Sequence, residues 1–210
     1  MAVSAAFPGG IGPLEVDPRT YQWAKRPRWD ATAKEEPCLL PFARLHLYDG
    51  GLYDNLGLEP LFDGGKQRLK AEESEPINYL VVSDAGAALT RSALPHRLNP
   101  FRFKRIADIA LDQTRALRVR SFVNFLQRHP LQGAYLQLGA KPAEAIGRFT
   151  QGREDVADQL LRRSWLQAEA IKAAASFPTT LKRLSESDFD LIARHGYETA
   201  MWNDLLFMNS

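Results

Sequence analysis

The sequence has little of the chemistry that covalent cross-links and membrane anchors require. Its 210 residues include one cysteine, Cys38, so an intramolecular disulfide is excluded and the thiol is expected to pack as a small apolar group. No apolar run approaches the roughly 20 residues that a membrane-spanning helix needs. Residues 1–10 lack the charged start and apolar centre of a signal peptide. We therefore expect a cytoplasmic or peripheral membrane protein.

Motifs for metal, nucleotide and nucleic-acid binding are also missing. There is no glycine-rich phosphate loop, so no nucleotide cofactor is expected. The net charge of +2 is too small to suggest nucleic-acid binding. The histidines are far apart and form no zinc-binding motif, so no metal is expected: His46, His96, His129 and His195.

What the chain does have is the composition of one globular domain covering residues 1–210, with 45% apolar and 25% charged residues. Hydrophobic patterns predict strands at 44–48, 77–82 and 134–138, and helices at 56–70, 104–128, about 153–175 and after Ser185. The continuous apolar run 77–82 is typical of a strand buried on both faces. We therefore expect an α/β fold with a small, mostly parallel sheet flanked by helices.

One stretch contains the residues best suited to chemistry. Arg44 to Tyr48 alternates polar and apolar residues, as a half-buried strand does, so Asp49 falls where the strand ends. Gly50 and Gly51 have no Cβ, so the chain could reach positive φ there and approach another backbone closely. A carboxylate held in a fixed direction at a strand end suits acid or base catalysis.

The same residues have a simpler interpretation. Asp-Gly between two apolar runs is a common β-hairpin signal. In that case Leu47-Tyr48 would pair with Leu52-Tyr53, and Asp49 would have no chemical role.

A longer string around Asp49 resembles a known family. Asp49-Gly50-Gly51, followed by Asp54-Asn55-Leu56-Gly57, is similar to the Asp-Gly-Gly signature of the patatin-like phospholipases. Four further segments are similar to parts of that family: Ser4 to Gly9, Val82 to Gly86, the Arg-rich stretch Asp112 to Arg120, and His195-Gly196-Tyr197.

The resemblance implies a lipid acyl hydrolase of the Ser-Asp dyad type, acting on a lipid or acyl ester. Asp49 would be the catalytic acid-base residue, supported by Gly50, Gly51, Asp54 and Asn55. The chain would form the C-terminal portion of the family's three-layer α/β domain.

The nucleophile that the family requires is missing from this chain. No Gly-x-Ser-x-Gly motif is present, and neither Ser4 nor Ser83 has the small flanking residues that such a turn needs. We therefore expect an upstream half or a second subunit to supply the serine, and the chain alone to be weakly active or inactive.

A different class of function stays open. Residues 101–163 carry 12 Lys and Arg against 6 Asp and Glu. Such a segment could bind an anionic membrane or a protein partner without catalysis. Because Asp108 and Asp112 are interspersed, it could equally be a solvated helix face.

Overall fold

The computed structural model describes residues 12–26, 34–70, 77–86, 89, 96, 99, 101–150, 154–178, 180 and 182–207. The candidate nucleophile Ser4 and the segment Ser4 to Gly9 lie outside the described residues. The contacts divide the chain into two compact units, 1–77 with 93–119 and 78–92 with 120–210. The single domain predicted for 1–210 stays a prediction.

The first unit contains short antiparallel strand pairs. β1 (Leu14–Val16) pairs with β4 (Leu45–Leu47), with Glu15 opposite His46. β2 (Trp23–Lys25) pairs with β3 (Glu36–Cys38), and β5 (Phe62–Asp63) pairs with β6 (Arg68–Leu69). A four-residue helix, α1 (Gly51–Asp54), follows β4. This unit also contains the N-terminal part of the 28-residue helix α2 (Phe101–Arg128), as far as Val119.

The second unit is built on a parallel strand pair, β7 (Leu80–Asp84) and β8 (Gly133–Gln137). Four helices follow: α3 (Pro142–Phe149), α4 (Glu154–Leu161), α5 (Ala168–Ala175) and α6 (Glu186–Phe207). Helix α6 packs against β8 and against α3, α4 and α5. The α/β class predicted from the sequence is confirmed, with one parallel pair among the described strands.

Helix α6 supplies the centre of this second core because apolar and hydrogen-bonded polar residues share its inner face. Trp202 and Leu206 pack with Ile146 of α3 and Leu160 of α4. The buried Glu198 accepts a hydrogen bond from the backbone N–H of Leu166 at 2.7 Å. A buried carboxylate is costly unless it is bonded in this way, so the contact fixes the chain that enters α5.

Strands β7 and β8 can approach each other closely because Gly133, at the start of β8, has no side chain. A Cβ at Gly133 would lie 2.4 Å from the backbone oxygen of Leu80.

The expectation that β7 is buried on both faces is wrong, because Leu80 and Val82 are buried while Val81 is 50% exposed. The strand also begins at Leu80, three residues later than predicted.

Two predicted helices are wrong. Residues 56–70 form the β5–β6 hairpin, with Gly64 and Gly65 in its turn. Residues 153–175 form two helices, α4 and α5, because the chain between them leaves the helical path. There the indole N–H of Trp165 donates to the backbone oxygen of Leu160 at 2.7 Å, which ends α4.

The two longest helices are predicted correctly. Helix α2 begins three residues before the predicted 104 and ends at the predicted 128. The apolar spacing of the sequence predicts that Ile109 lies on the buried stripe of this helix, but Ile109 is 37% exposed. Phe122 and Phe125 are the most buried of its described side chains. Within the described part of the chain, none of the helices has the combination of length and apolar character that crossing a bilayer demands.

Candidate active site around Asp49

Asp49 lies just beyond the end of β4, as the sequence predicts, and the chain then enters a helical turn. The backbone N–H of Leu52 donates to the oxygen of Asp49 at 3.1 Å, and α1 starts at Gly51. The alternative of a hairpin at Asp49-Gly50 is therefore wrong. β4 pairs with β1 instead.

The carboxylate of Asp49 has a defined direction. Its Oδ1 accepts a hydrogen bond from the backbone N–H of Gly51 at 2.8 Å, and the residue is half-buried. No residue that the structure describes donates a hydrogen bond to Oδ2. One oxygen is thus held by the backbone, and the other is the oxygen that could accept a proton.

A glycine is needed at position 51 because neighbouring side chains leave no room for a Cβ, and not because of its φ angle. A Cβ there would lie 2.9 Å from Oδ1 of Asn55 and 3.2 Å from Oδ1 of Asp49. Gly50 has φ of −60°, and a Cβ on it would meet no atom within 4 Å. The expectation of positive φ at these glycines is wrong. Among the glycines of this string it is Gly57 that has positive φ, at +64°.

Asp54 stabilises the end of the turn. Its carboxylate accepts backbone hydrogen bonds from Leu56 at 3.2 Å and Glu59 at 2.7 Å, and its side chain is only 6% exposed. Nε of Arg118, on α2, lies 3.7 Å from Oδ1 of Asp54. Asn55 has its amide oxygen against Gly51. Asp54 and Asn55 therefore shape the turn that contains Asp49.

Arg118 is the residue of this site to which the sequence pattern gave no role. In the sequence, the Arg-rich stretch Asp112 to Arg120 shows a resemblance to the family and nothing that singles out Arg118. Nothing in the order of residues connects Arg118 with Tyr53 and Asp54, because the contact spans more than 60 positions. Spacing within α2 carries no signal for such a contact.

A second Asp-Gly-Gly string occurs in the same unit. Oδ1 of Asp63 accepts the backbone N–H of Gly65 at 3.1 Å and that of Lys66 at 2.9 Å. Together with Lys66, these hydrogen bonds hold the pKa of Asp63 below its ordinary value, although burial opposes them. This turn closes the β5–β6 hairpin, and it shows that Asp-Gly-Gly alone does not specify an active site.

The residues around Ser83 do not form a nucleophile turn. Ser83 lies inside β7 and not in a turn at the end of the strand. Asp84 is 2% exposed, and it accepts hydrogen bonds from the hydroxyl of Tyr135 at 2.5 Å and the N–H of Gly86 at 3.0 Å. The carboxylate of Asp84 thus holds the backbone that follows β7 and contacts the neighbouring strand β8.

The histidines have structural contacts. His46 is a surface residue of β4, with Nε2 3.5 Å from a carboxylate oxygen of Glu15. The ring of His129 stacks on Phe125 at 4.7 Å. His195 is buried, which lowers its pKa below the ordinary value, while Glu198 opposes the shift. In the described ranges no group of three metal-ligating side chains occurs.

A comparison with protein-family models, with curated proteins and with solved structures finds no match for this chain. What Asp49 does is therefore inferred from its own sequence string and from the geometry of its turn.

Proposed function

We propose that this chain supplies the catalytic aspartate of a patatin-like lipid acyl hydrolase. The observation that carries the proposal is the carboxylate of Asp49, at the end of β4. One oxygen is held by the N–H of Gly51, and the other has no donor among the described residues. A general base needs this combination of fixed direction and an available lone pair.

In the proposed reaction a serine hydroxyl attacks the carbonyl carbon of an acyl ester, and Asp49 takes the hydroxyl proton. Backbone amides of a glycine-rich loop stabilise the negative oxygen of the tetrahedral intermediate. The proton then passes from Asp49 to the departing alcohol, and water hydrolyses the acyl-serine by the same route. The serine and the loop come from an upstream half or a second subunit, and the reaction requires no metal or cofactor.

The surface next to Asp49 supports an apolar substrate. Leu47 is 36%, Tyr48 44% and Tyr53 66% exposed, and all three are within four positions of Asp49. Leu14, opposite Leu47 in the β1–β4 pair, is 39% exposed. Exposed apolar side chains this near to one carboxylate in the sequence suit contact with an acyl chain. We propose that the protein acts in the cytoplasm or at the periphery of a membrane.

The test is covalent labelling by a fluorophosphonate probe, which modifies activated serines. The chain alone is expected to stay unlabelled. When it is co-expressed with a segment that carries a glycine-rich loop and Gly-x-Ser-x-Gly, the serine of that segment is expected to react. In Asp49→Asn the labelling rate should fall by on the order of 10³-fold or more, because the base is lost.

Asp63→Asn is the matched control, since its carboxylate makes the same contact to the second glycine of an Asp-Gly-Gly string. It should label at the unchanged rate. Equal loss in both variants, or full labelling of Asp49→Asn, would overturn the proposal.

A second candidate function, binding to an anionic membrane surface without catalysis, is favoured by the exposed side of α2. Phe103 is 78%, Ile106 51% and Leu117 60% exposed, and the side chain of Lys104 is 58% exposed. Apolar side chains beside basic ones suit a membrane surface. Sedimentation with vesicles that contain phosphatidylserine should then weaken with salt and in Phe103→Ser. Equal binding to neutral vesicles would exclude this function.

A further inference from the structure

Arg118 contacts the turn after Asp49 in three ways. Its Nη1 donates a hydrogen bond to the backbone oxygen of Tyr53 at 2.5 Å. Its guanidinium carbon lies 5.1 Å from the centre of the Tyr53 ring, within cation–π range. Its Nε is 3.7 Å from Oδ1 of Asp54. One side chain of α2 thus binds the last two residues of α1 through charge, hydrogen bonding and stacking.

These contacts are largely shielded from water. The side chain of Arg118 is 20% exposed and that of Asp54 is 6% exposed. A charge pair with so little solvent around it is screened less than a surface pair, and losing one partner leaves the other poorly solvated. Lysine could not replace the arginine, because a single ammonium does not provide a planar group that reaches a carbonyl, a carboxylate and an aromatic face together.

Helix α1 needs such an external contact. It has four residues, Gly51–Asp54, and a helix this short is unstable alone because nucleation fixes several residues for few hydrogen bonds. Its first turn is bonded directly to Asp49: the N–H of Gly51 donates to Oδ1 and the N–H of Leu52 to the backbone oxygen. Any shift of α1 would therefore change the direction of the Asp49 carboxylate.

We infer that Arg118 is a positioning residue for Asp49: it fixes α1 against the long helix α2 and thereby fixes the carboxylate. The catalytic meaning of this contact rests on the proposed function, whereas the contact itself can be tested without activity. Arg118 bonds Tyr53 and Asp54 and does not bond Asp49 itself.

A crevice beside Arg118 makes chemical rescue feasible. It is small, with a cavity volume of about 20 Å³, and it is lined by residues that include Leu111, Thr114 and Arg115 of α2. In Arg118→Ala the space of the missing side chain would join this crevice. Methylguanidinium, added to the buffer, is small enough to occupy it and restore the bonds to Tyr53 and Asp54.

The experiment measures hydrogen exchange and carboxyl ¹³C shifts by NMR on the purified 210-residue chain. In Arg118→Ala the amide of Gly51 should exchange about tenfold faster, because a charge-assisted contact that holds its turn is lost. The carboxyl signal of Asp49 should move, while that of Asp63 stays. Methylguanidinium should reverse both changes, and Arg118→Lys should fall between Arg118→Ala and the natural chain.

Two controls distinguish a specific effect of Arg118 on the turn at Asp49 from a general loss of stability. The amide of Leu138, which donates to the backbone oxygen of Asp84 at 2.9 Å, reports on the second unit and should be unchanged. Lys104→Ala removes a cation from the same helix, but one whose ammonium pairs with Asp108 at 2.8 Å, and it should leave Gly51 unaffected. If Arg118→Ala does not fold, Arg118→Lys alone is expected to speed exchange at Gly51 and leave Leu138 unchanged.

Unchanged exchange at Gly51, or equal acceleration at Gly51 and Leu138, would overturn the inference. Failure of the proposed function can be distinguished from failure of the positioning role of Arg118. In that case Arg118→Ala still changes the signals of Gly51 and Asp49, while Asp49→Asn has no effect on fluorophosphonate labelling.

Discussion

Nε2 of His195 accepts a hydrogen bond from the backbone N–H of Gly139 at 2.9 Å. Gly139 has φ of +86°, so a glycine is suited to this position, and the bond joins the loop after β8 to the middle of α6. An imidazole nitrogen accepts a hydrogen bond only when it carries no proton, so the neutral ring has its proton on Nδ1. Protonation of Nε2 would break the contact.

We predict that the protein loses stability as the pH falls through the range just below neutrality. Burial lowers the pKa of His195 from 6.5, so the unfolded chain binds a proton at a pH where the folded chain does not. The free energy of unfolding therefore falls as the pH drops below about 6.5, by at most about 1.4 kcal/mol per pH unit for one group. Above that pH this contribution is constant. Urea unfolding between pH 5.5 and about 7.5 measures it.

The matched variants are His195→Gln and His46→Gln. The first should flatten the pH dependence, because the titrating group is gone. The second alters a histidine whose side chain is 49% exposed and should leave the dependence as it is. If the free energy of unfolding of His195→Gln depends on pH as steeply as that of the natural chain, His195 is not the group responsible.

Gly133→Ala should be among the more damaging single-methyl additions in the chain. The new Cβ would lie 2.4 Å from the backbone oxygen of Leu80 and 3.0 Å from Cδ2 of Leu126, and a backbone oxygen held in a strand pair cannot turn aside as a side chain can. Forcing a methyl group into a filled space costs about 1–3 kcal/mol. Chemical denaturation should show this loss. Gly196→Ala is the control: Gly196 lies in α6 with no atom within 4 Å of its added Cβ, and it should gain about 0.5–1 kcal/mol.

Ser185→Ala should destabilise the start of α6. Oγ of Ser185 accepts the backbone N–H of Asp188 at 3.2 Å and donates to the Asp188 carboxylate at 2.5 Å. Removing a serine cap costs about 1 kcal/mol. Thermal and urea unfolding should both detect the change. Ser187→Ala, which leaves the backbone bond to Ser185 in place, is expected to cost less than half as much, and equal losses would argue against capping.

The sequence predicts those elements whose signals are local. The serine cap at Ser185 marks the start of α6, and the apolar period marks α2. The helix expected at 56–70 fails for a local reason too, since an Asp-Gly-Gly turn starting at Asp63 outweighs the apolar period on either side. The exposed Val81 shows that an apolar run does not reveal how many faces of a strand are covered.

The candidate site is predictable only in part. The position of Asp49 after a strand follows from alternation and glycines, because both are properties of neighbouring residues. The helical turn at Gly51–Asp54 and its contact with Arg118 depend on residues that are distant in sequence. No periodicity of α2 distinguishes Arg118 from the other basic residues on that helix.

The two glycines after Asp49 should differ in their tolerance of a methyl group. In Gly51→Ala the Cβ would meet the carboxylate of Asp49 at 3.2 Å and the amide of Asn55 at 2.9 Å. Both atoms belong to side chains that can move, so we expect a stability change below about 1 kcal/mol. The carboxylate must turn away, however, and under the proposed function serine labelling in the assembled enzyme should fall about tenfold or more, as for other misplaced catalytic groups.

Gly50→Ala is the matched control for that prediction, because Gly50 has φ of −60° and open space around its added Cβ. It should fold with unchanged stability and keep the full labelling rate. The Asp49 carboxyl ¹³C signal should move in Gly51→Ala and stay in place in Gly50→Ala. If the two variants lose labelling equally, the second glycine is not required by its contact with Asp49, and backbone freedom at both positions would be the better explanation.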